Sequence, residues 1–319
     1  MLPLLRAACY RWLNHQPVYT PVQEVWSGEN IPYLPAMWLP FAPSLLLDID
    51  MRWTTIALTI TTVLVLLVTL IRNRVKGANI VTVAIVFLLS IFLMVKFYTW
   101  EDSRLFEFSE EPIPTFYYIL LFIALMYENA WLTGIMLSLC TLSRFSLLPF
   151  IPVFFLWLAI AGKTKYALKT GFVYAGLLLL VFVIPFFIQQ PEYFLNIPHR
   201  YNIHLTDFWK ANNYDLAGNR GLGLAYVFGY KYHELMGWLS ILLLITVPAI
   251  WLALFAVLKK RYVIYENIWA MAGLKLTLLI FYNFINMPYL YIFEVPTLIS
   301  LPLLLATARE TKIFKLKTE

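Results

Sequence analysis

The sequence predicts an all-α fold, a polytopic helical membrane protein, from its composition and from the length of its apolar runs. Hydrophobic residues make up 61% of the 319 residues, charged residues make up 13%, and the mean hydropathy is +0.73. Soluble domains are usually about half apolar and about a quarter charged. A helix that crosses a bilayer needs about 20 mostly apolar residues, and runs of that length recur along this chain. We therefore predict a single membrane domain over residues 1–319.

Roughly nine or ten membrane spans are predicted from these runs. The clearest are Trp53–Ile71, Ile80–Tyr98, Phe145–Ala161, Gly171–Ile188, Met236–Leu258, Ile268–Phe284 and Pro288–Ala306. The stretch Thr115–Ser143 is longer than one span and is broken near Glu128 and Asn129, which predicts two short helices. The stretch Ile31–Leu47 is apolar but contains four prolines. Proline interrupts a helix interior, so the sequence leaves open whether this stretch crosses the membrane.

The positions of Lys and Arg predict the orientation of the helices, because cytoplasmic loops carry an excess of both. Three basic clusters, Lys163–Lys169, Lys259–Arg261 and Lys312–Lys317, are predicted to be cytoplasmic. The polar segment 189–234 then falls on the outer face, and we expect the polar segment 9–30 to share that face. The charge pattern thus predicts that both polar segments face away from the cytoplasm.

The charge pattern bears on the kind of partner and on cofactors. The net charge of +6 comes from short clusters between apolar runs rather than from one basic face. We therefore predict membrane lipids as partners and no nucleic acid. No metal-ligand spacing and no glycine-rich phosphate loop occurs, so no cofactor is predicted. The acidic stretch Glu101–Pro112 leaves a divalent cation open, because hard cations bind clustered oxygens. A solvated charged loop is the alternative interpretation.

The first polar segment contains candidate residues for proton transfer. Glu24 and Glu29 lie near Trp26 and Tyr33, and a carboxylate beside aromatic rings at a membrane surface suits a general base. The alternative is that both are solvated loop acids.

The second polar segment contains candidate residues for binding a phosphate or a sugar. His199, Arg200 and Arg220 are suited to a phosphate, and Asn219 to a hydroxyl group. An amphipathic helix lying in the membrane interface explains the same composition and stays open.

Three charged residues lie within or at the ends of apolar runs. Arg144 is a functional candidate, because a charge at membrane depth is costly, although a long side chain at a helix end also reaches water. Lys275 and Glu294 are predicted to pair with each other across the last two spans.

Four short motifs carry a resemblance to a known family by their order along the chain. They are LNHQPVYTP followed by Tyr33-Leu34-Pro35, LTGIMLSLCTLSR ending at Arg144, Asn219-Arg220-Gly221, and PYLYIFEVP. In this order they resemble the C-type, multi-spanning membrane glycosyltransferases that use polyprenyl-phosphate sugars. The resemblance covers nearly the whole chain and is greatest to the group that depends on polyprenol-phosphate mannose.

The resemblance implies transfer of a hexose such as mannose from a polyprenyl-phosphate sugar donor to a lipid-linked or surface acceptor. In this interpretation Glu24 or Glu29 stands in for the catalytic base of the family, and Arg144, Arg200, Arg220 and His199 contact the donor phosphate. The location that follows is the bacterial inner membrane, with the active face outward. The contacts with sugar or lipid would come from three residues: Trp26, Tyr33 and Asn219.

The sequence departs from the family in two respects. The family has a first helix ending in a catalytic acid, and this sequence starts just past the corresponding point. Where many relatives have a Gly-Gln-x-Asn element, this chain has Glu110-Glu111-Pro112. A transporter or flippase for a lipid-linked or anionic substrate is therefore kept as an alternative, and so is a truncated, non-catalytic homologue.

Overall fold

Helices form most of the structure, a computed structural model. It describes residues 2–23, 31–75, 81, 84–85, 88–89, 92, 110–196, 224–284, 294–309 and 314–316. The numbered helices are α1 Leu2–Leu13, α2 Pro35–Trp38, α3 Ala42–Leu46, α4 Arg52–Val75, α5 Pro112–Met126, α6 Ala130–Ser143, α7 Phe150–Ala161, α8 Thr164–Leu178, α9 Pro191–Leu195, α10 Leu224–Arg261, α11 Glu266–Phe284, α12 Glu294–Leu298 and α13 Ser300–Arg309. Two strands, β1 Tyr262–Ile264 and β2 Phe314–Leu316, form a small antiparallel ribbon.

Three helical segments in the described part of the chain are long and apolar enough to cross a membrane. They are Arg52–Arg72, Thr164–Phe187 and Ile241–Arg261. Four shorter apolar helices of 10–17 residues accompany them. These segments suggest a membrane protein, as the composition does. Most of the predicted span Ile80–Tyr98 lies outside the described residues, so the total of nine or ten spans stays a prediction.

The predicted break in the long apolar stretch is confirmed. Helix α5 ends at Met126 and α6 begins at Ala130. Glu128 adopts a left-handed backbone conformation with φ of 52°, which a continuing helix does not tolerate. Asn129 then caps α6, because its side-chain oxygen accepts a hydrogen bond from the backbone N–H of Leu132 at 3.0 Å.

The proline-rich stretch after residue 31 does not form one spanning helix. It is divided into α2, a 3₁₀ turn over Leu39–Phe41, and α3, which have four, three and five residues. A proline stands at the first or second position of each piece, where its missing N–H costs nothing. The stretch is nevertheless buried, since Met37, Trp38 and Phe41 are fully enclosed.

Close contacts fix the packing of the apolar helices. Gly134 in α6 lies so close to α8 that an added Cβ would stand 2.7 Å from Cβ of Val173. On α4, buried threonines recur every seven residues, at Thr55, Thr62 and Thr69, and this helix packs against α5. Each threonine hydroxyl is satisfied within its own helix, by the carbonyl oxygen of a residue in the preceding turn.

A network of ion pairs lies at one end of the bundle. Lys163 Nζ is 2.8 Å from Glu128 Oε1 and 3.1 Å from Glu266 Oε2, and Lys259 Nζ is 3.1 Å from Glu266 Oε1. The ribbon lies at the same end, because β1 directly follows α10 and Val263 pairs with Lys315 of β2. The structure therefore brings parts of all three basic clusters together. That this end is cytoplasmic stays a prediction.

The two polar segments of the sequence meet at the opposite end. The backbone N–H of Tyr19 donates to Gln190 Oε1 at 3.2 Å, and Gln190 Nε2 donates to the Tyr19 carbonyl at 3.3 Å. Aromatic rings pack around this junction, including Tyr19 on Phe194 with 4.7 Å between ring centroids. The 24 residues of Thr164–Phe187 separate this junction from the ion-pair network, a rise of about 36 Å. The outer-face assignment stays a prediction.

The long helical segment Thr164–Phe187 changes its geometry before it reaches the junction. Its last nine residues, Leu179–Phe187, form a π-helix that contains Pro185. Proline has no backbone N–H to donate to the preceding turn, and a widened turn is one way in which a helix accommodates the loss.

Candidate active site

A buried polar cluster lies where α5 begins and where α6 and α11 end. Its members are Tyr33, Glu110, Glu111, Arg144 and Tyr282, and we call it the carboxylate cluster. Chain segments far apart in the sequence meet here, so the cluster depends on the tertiary fold. It lies at the end of the bundle away from the ion-pair network, because α5 starts here and runs about 22 Å over its 15 residues to the other end.

Local sequence fixes the two carboxylates at the start of α5. Pro112 is the first residue of this helix, a position that suits proline because its ring presets the helical φ angle. Glu110 and Glu111 therefore stand immediately before the helix. The partial positive charge of a helix N-terminus favours an ionised carboxylate at such a position.

The two carboxylates contact partners on different segments. The Tyr33 hydroxyl, from the segment before α2, donates to Glu110 Oε1 at 2.8 Å. Arg144 caps the C-terminal end of α6 with an extended backbone, and its Nη2 donates to Glu111 Oε1. The side chain of Glu111 is 0% exposed and that of Arg144 is 14% exposed, so the ion pair is shielded from water.

Each carboxylate keeps one oxygen without a hydrogen-bond partner among the described residues. These atoms are Glu110 Oε2 and Glu111 Oε2. Thr115 Oγ1, one turn into α5, is also buried without a hydrogen-bond partner among the described residues. Leaving a buried acceptor unpaired costs about 1–3 kcal/mol, and more for a charged group. Native proteins keep few such atoms, and those they keep call for a ligand, a proton or a catalytic role.

A chain of buried hydroxyl groups continues from the cluster. Tyr282 lies beside Arg144, and its hydroxyl donates to Ser146 Oγ at 3.5 Å. Ser146 Oγ is 3.0 Å from the hydroxyl of Tyr118 in α5. The polar surface thus extends from Tyr33 to Tyr118 inside an otherwise apolar bundle.

Burial controls proton binding at the two carboxylates. The pKa of Glu111 is raised to about 7, because burial and the charge of Glu110 raise it more than Arg144 lowers it. Burial also raises the pKa of Glu110, while Arg144 and the hydrogen bond from Tyr33 lower it. Two carboxylates facing one guanidinium can therefore exchange a proton near neutral pH, which is what a general acid or base requires.

The structure places two of the predicted site residues in the carboxylate cluster, Tyr33 and Arg144. The remaining predicted site residues lie outside the described residues: Glu24, Trp26, Glu29, His199, Arg200, Asn219 and Arg220. Their roles stay predictions.

The interpretation of the acidic stretch as a solvated loop is wrong for Glu110 and Glu111, which are 1% and 0% exposed. The sequence signal was the placement of two acids directly before an uncharged apolar helix that begins with a proline. The other acids of this stretch, Glu101, Asp102 and Glu107, lie outside the described residues.

For the predicted pairing of Lys275 with Glu294, the structure describes only the lysine side chain. Lys275 Nζ donates to Ser300 Oγ on α13, so this half-buried lysine is held by a hydroxyl group. The side chain of Glu294 lies outside the described residues, and its pairing stays a prediction.

The prediction that no metal is bound stays a prediction. No group of three or more His, Cys, Asp or Glu side chains is gathered in the part of the chain that the structure describes. Within the carboxylate cluster, the cation beside the two glutamates is the guanidinium of Arg144.

Comparison with known proteins gives no assignment. No known family matches this sequence, and no curated protein or solved structure is similar to it at a significant level.

Proposed function

We propose that this chain is a polytopic integral membrane glycosyltransferase. It transfers a hexose, with mannose the first candidate, from a polyprenyl-phosphate donor to a lipid-linked or surface acceptor. The observation that carries the proposal is the carboxylate cluster, because it combines buried acids, a cation and hydroxyl groups at the end of apolar helices. The order of the sequence motifs supports the same reaction.

The chemistry of the cluster suits sugar transfer. An acceptor hydroxyl must lose a proton as it attacks the sugar, and a carboxylate with a raised pKa is a suitable proton acceptor. The leaving polyprenyl phosphate develops negative charge, and a guanidinium such as that of Arg144 stabilises this charge. In this proposal Glu110 and Glu111 replace Glu24 and Glu29 as the leading candidates for proton transfer.

The position of the cluster suits a lipid-linked donor. The polyprenyl chain needs an apolar environment, and its phosphate needs polar groups at the end of the hydrocarbon layer. The cluster lies at the start of α5, and the 15 residues of this helix are all uncharged. Placement in the bacterial inner membrane with this end outward belongs to the proposal.

The test is a transfer assay with the purified chain in liposomes. Polyprenyl-phosphate mannose with a radiolabelled sugar is supplied together with a lipid extract as the acceptor. We expect labelled product from the unaltered chain and a loss of about 100-fold or more for the double variant Glu110→Gln/Glu111→Gln. Glu128→Gln is the matched control, because Glu128 is an exposed glutamate at the opposite end of the bundle.

Full transfer by the double variant would remove the carboxylate cluster from the site. No transfer by the unaltered chain with mannose or with other polyprenyl-phosphate hexoses would overturn the proposed function.

Proton-coupled transport is a second candidate, favoured by one observation. Ionisable groups buried in a helical bundle often mark proton relays, and Glu111 has a pKa near neutral. Movement of a lipid-linked or anionic substrate across sealed vesicles, driven by a pH gradient and without sugar transfer, would favour transport over transfer.

A further inference from the structure

We propose that Glu110 is the proton-accepting residue of the carboxylate cluster and that Glu111 and Arg144 are positioning residues that set its charge. This assignment rests on the proposed function, because the proton it concerns is that of the sugar acceptor. The evidence for it is the set of contacts that the two carboxylates make.

The two glutamates are neighbours in the sequence but contact different chemical groups. Glu111 binds the guanidinium of Arg144 directly, and this charge-assisted contact uses Oε1. Glu110 accepts a side-chain hydrogen bond from the neutral phenol of Tyr33, also through Oε1. Because a direct ion pair stabilises the charged form more than a phenol does, Glu110 is the carboxylate that takes up a proton more readily.

Among the described residues, Oε2 of each carboxylate has no hydrogen-bond partner, so both have a lone pair to offer. The two carboxylates differ in how protonation affects the ion pair with Arg144. Protonating Glu111 would remove the direct ion pair that it forms with the buried Arg144, which is costly. Protonating Glu110 leaves that ion pair intact. The geometry therefore directs the proton to Glu110 Oε2.

The charged and titratable groups around the pair come from every packed element. Tyr33 faces it from the segment before α2, and Arg144 from the end of α6. Tyr282 faces it from α11, and Tyr118 lies on α5 itself, linked to Tyr282 through Ser146. Among the described residues, Arg144 is the cation that acts on both carboxylates, and the positive amino terminus also lowers the pKa of Glu110.

The reaction step balances with this assignment. The oxygen of the acceptor hydroxyl forms a bond to the anomeric carbon of the donor sugar. The bond between that carbon and the phosphate oxygen breaks, and its electron pair leaves with the polyprenyl phosphate. The proton of the hydroxyl group moves to Glu110 Oε2. No oxidant, reductant or further reactant is needed.

The first experiment is an infrared pH titration of the full chain in detergent, which needs no substrate. The carbonyl stretch of a protonated buried carboxyl group is followed in the unaltered protein, in Glu110→Gln and in Glu111→Gln. We expect the band that titrates at the higher pH to vanish in Glu110→Gln and to persist in Glu111→Gln. The reverse pattern, or a band that both single variants retain, would overturn the assignment.

The second experiment is the pH profile of transfer. Removing the Tyr33 hydroxyl in Tyr33→Phe takes away a hydrogen bond that favours the charged form of Glu110, so the acidic limb should move to higher pH. Glu111→Gln leaves Arg144 facing Glu110, so its acidic limb should move to lower pH while transfer continues. Glu110→Gln should lower turnover by about 100-fold or more with little change in the donor KM.

The two experiments separate failure of the assignment from failure of the proposed function. A chain that shows the expected infrared pattern but transfers no sugar keeps the proton assignment and loses the glycosyltransferase proposal. A chain that transfers sugar with Glu110→Gln as active as the unaltered protein keeps the function and loses the assignment. Melting temperatures of all variants exclude loss of folding as the cause.

Discussion

At the scale of single residues, the decisive feature is a buried charge pair beside a second carboxylate. Arg144 and Glu111 are both shielded, and each satisfies the charge of the other. Replacing both partners of such a pair with neutral groups is often tolerated, whereas removing one partner is strongly destabilising. This asymmetry gives a test of the pair that does not depend on catalysis.

A double-mutant cycle measures the coupling of Arg144 and Glu111. We expect Arg144→Met to lower the free energy of unfolding by on the order of 3 kcal/mol, because an uncompensated carboxylate stays buried. The double variant Glu111→Gln/Arg144→Met should cost clearly less than the sum of the two single variants. Denaturant unfolding in detergent gives the four values, and additivity within about 0.5 kcal/mol would show that the pair is not formed.

The stability of the protein should also depend on pH through the carboxylate cluster. Burial raises the pKa of Glu110, the residue assigned the proton, above its ordinary value of 4.5. Between the ordinary and the raised value the folded state holds a proton that the unfolded state has lost, so the free energy of unfolding falls as the pH rises through this window. Unfolding measured from pH 4 to pH 8 should show a shallower fall for Glu110→Gln than for Glu111→Gln, and equal slopes would contradict the assignment.

At the scale of helices, glycine decides how closely α6 approaches α8. An added Cβ at Gly134 would stand 2.7 Å from the Val173 side chain and 2.8 Å from the Thr170 carbonyl oxygen. The carbonyl belongs to the backbone of α8, so the clash cannot be relieved by a rotamer change alone. The two helices would have to separate.

Gly134→Ala should therefore destabilise the protein, by about 1–3 kcal/mol for overpacking of a tight contact. Gly176→Ala is the matched control on α8, because an added Cβ there meets no atom within 4 Å. Thermal unfolding of both variants compares the two sites. A Gly134→Ala protein as stable as the Gly176→Ala protein would mean that α6 and α8 are not packed as closely as described.

At the scale of the whole molecule, the polar groups divide between the two ends of the helical bundle. The ion-pair network and the β1–β2 ribbon lie at one end, and the carboxylate cluster and the Tyr19–Gln190 junction lie at the other. A polytopic arrangement makes a definite prediction from this division. All three basic clusters should lie on one side of the membrane and the junction on the other.

Labelling of single cysteines tests this arrangement in intact cells. Cysteine placed at Lys165, Lys260 or Lys315 should be protected from an impermeant thiol reagent, whereas cysteine at Glu192 should react. The two native cysteines, Cys9 and Cys140, are both buried and should give a low background. Labelling of all four introduced positions from outside, or of none, would contradict the predicted topology.

The sequence by itself determined the helical class and the break between α5 and α6, and it singled out Arg144 and Tyr33 as candidates. These features depend on composition and on local chemistry, such as a capping Asn129 or a charge at the end of an apolar run, which neighbouring residues reveal.

Only the tertiary structure decided the surroundings of Glu110 and Glu111. In the sequence they belong to an acidic stretch, and nothing local tells a solvated acid from a buried one. Their burial and their charge partners come from residues at least 33 positions away. The same reason applies to the ribbon, which pairs Val263 with Lys315. The electrostatic environment of a residue depends on distant segments that the fold brings into contact with it. The residues next to it in the sequence do not reveal which segments these are.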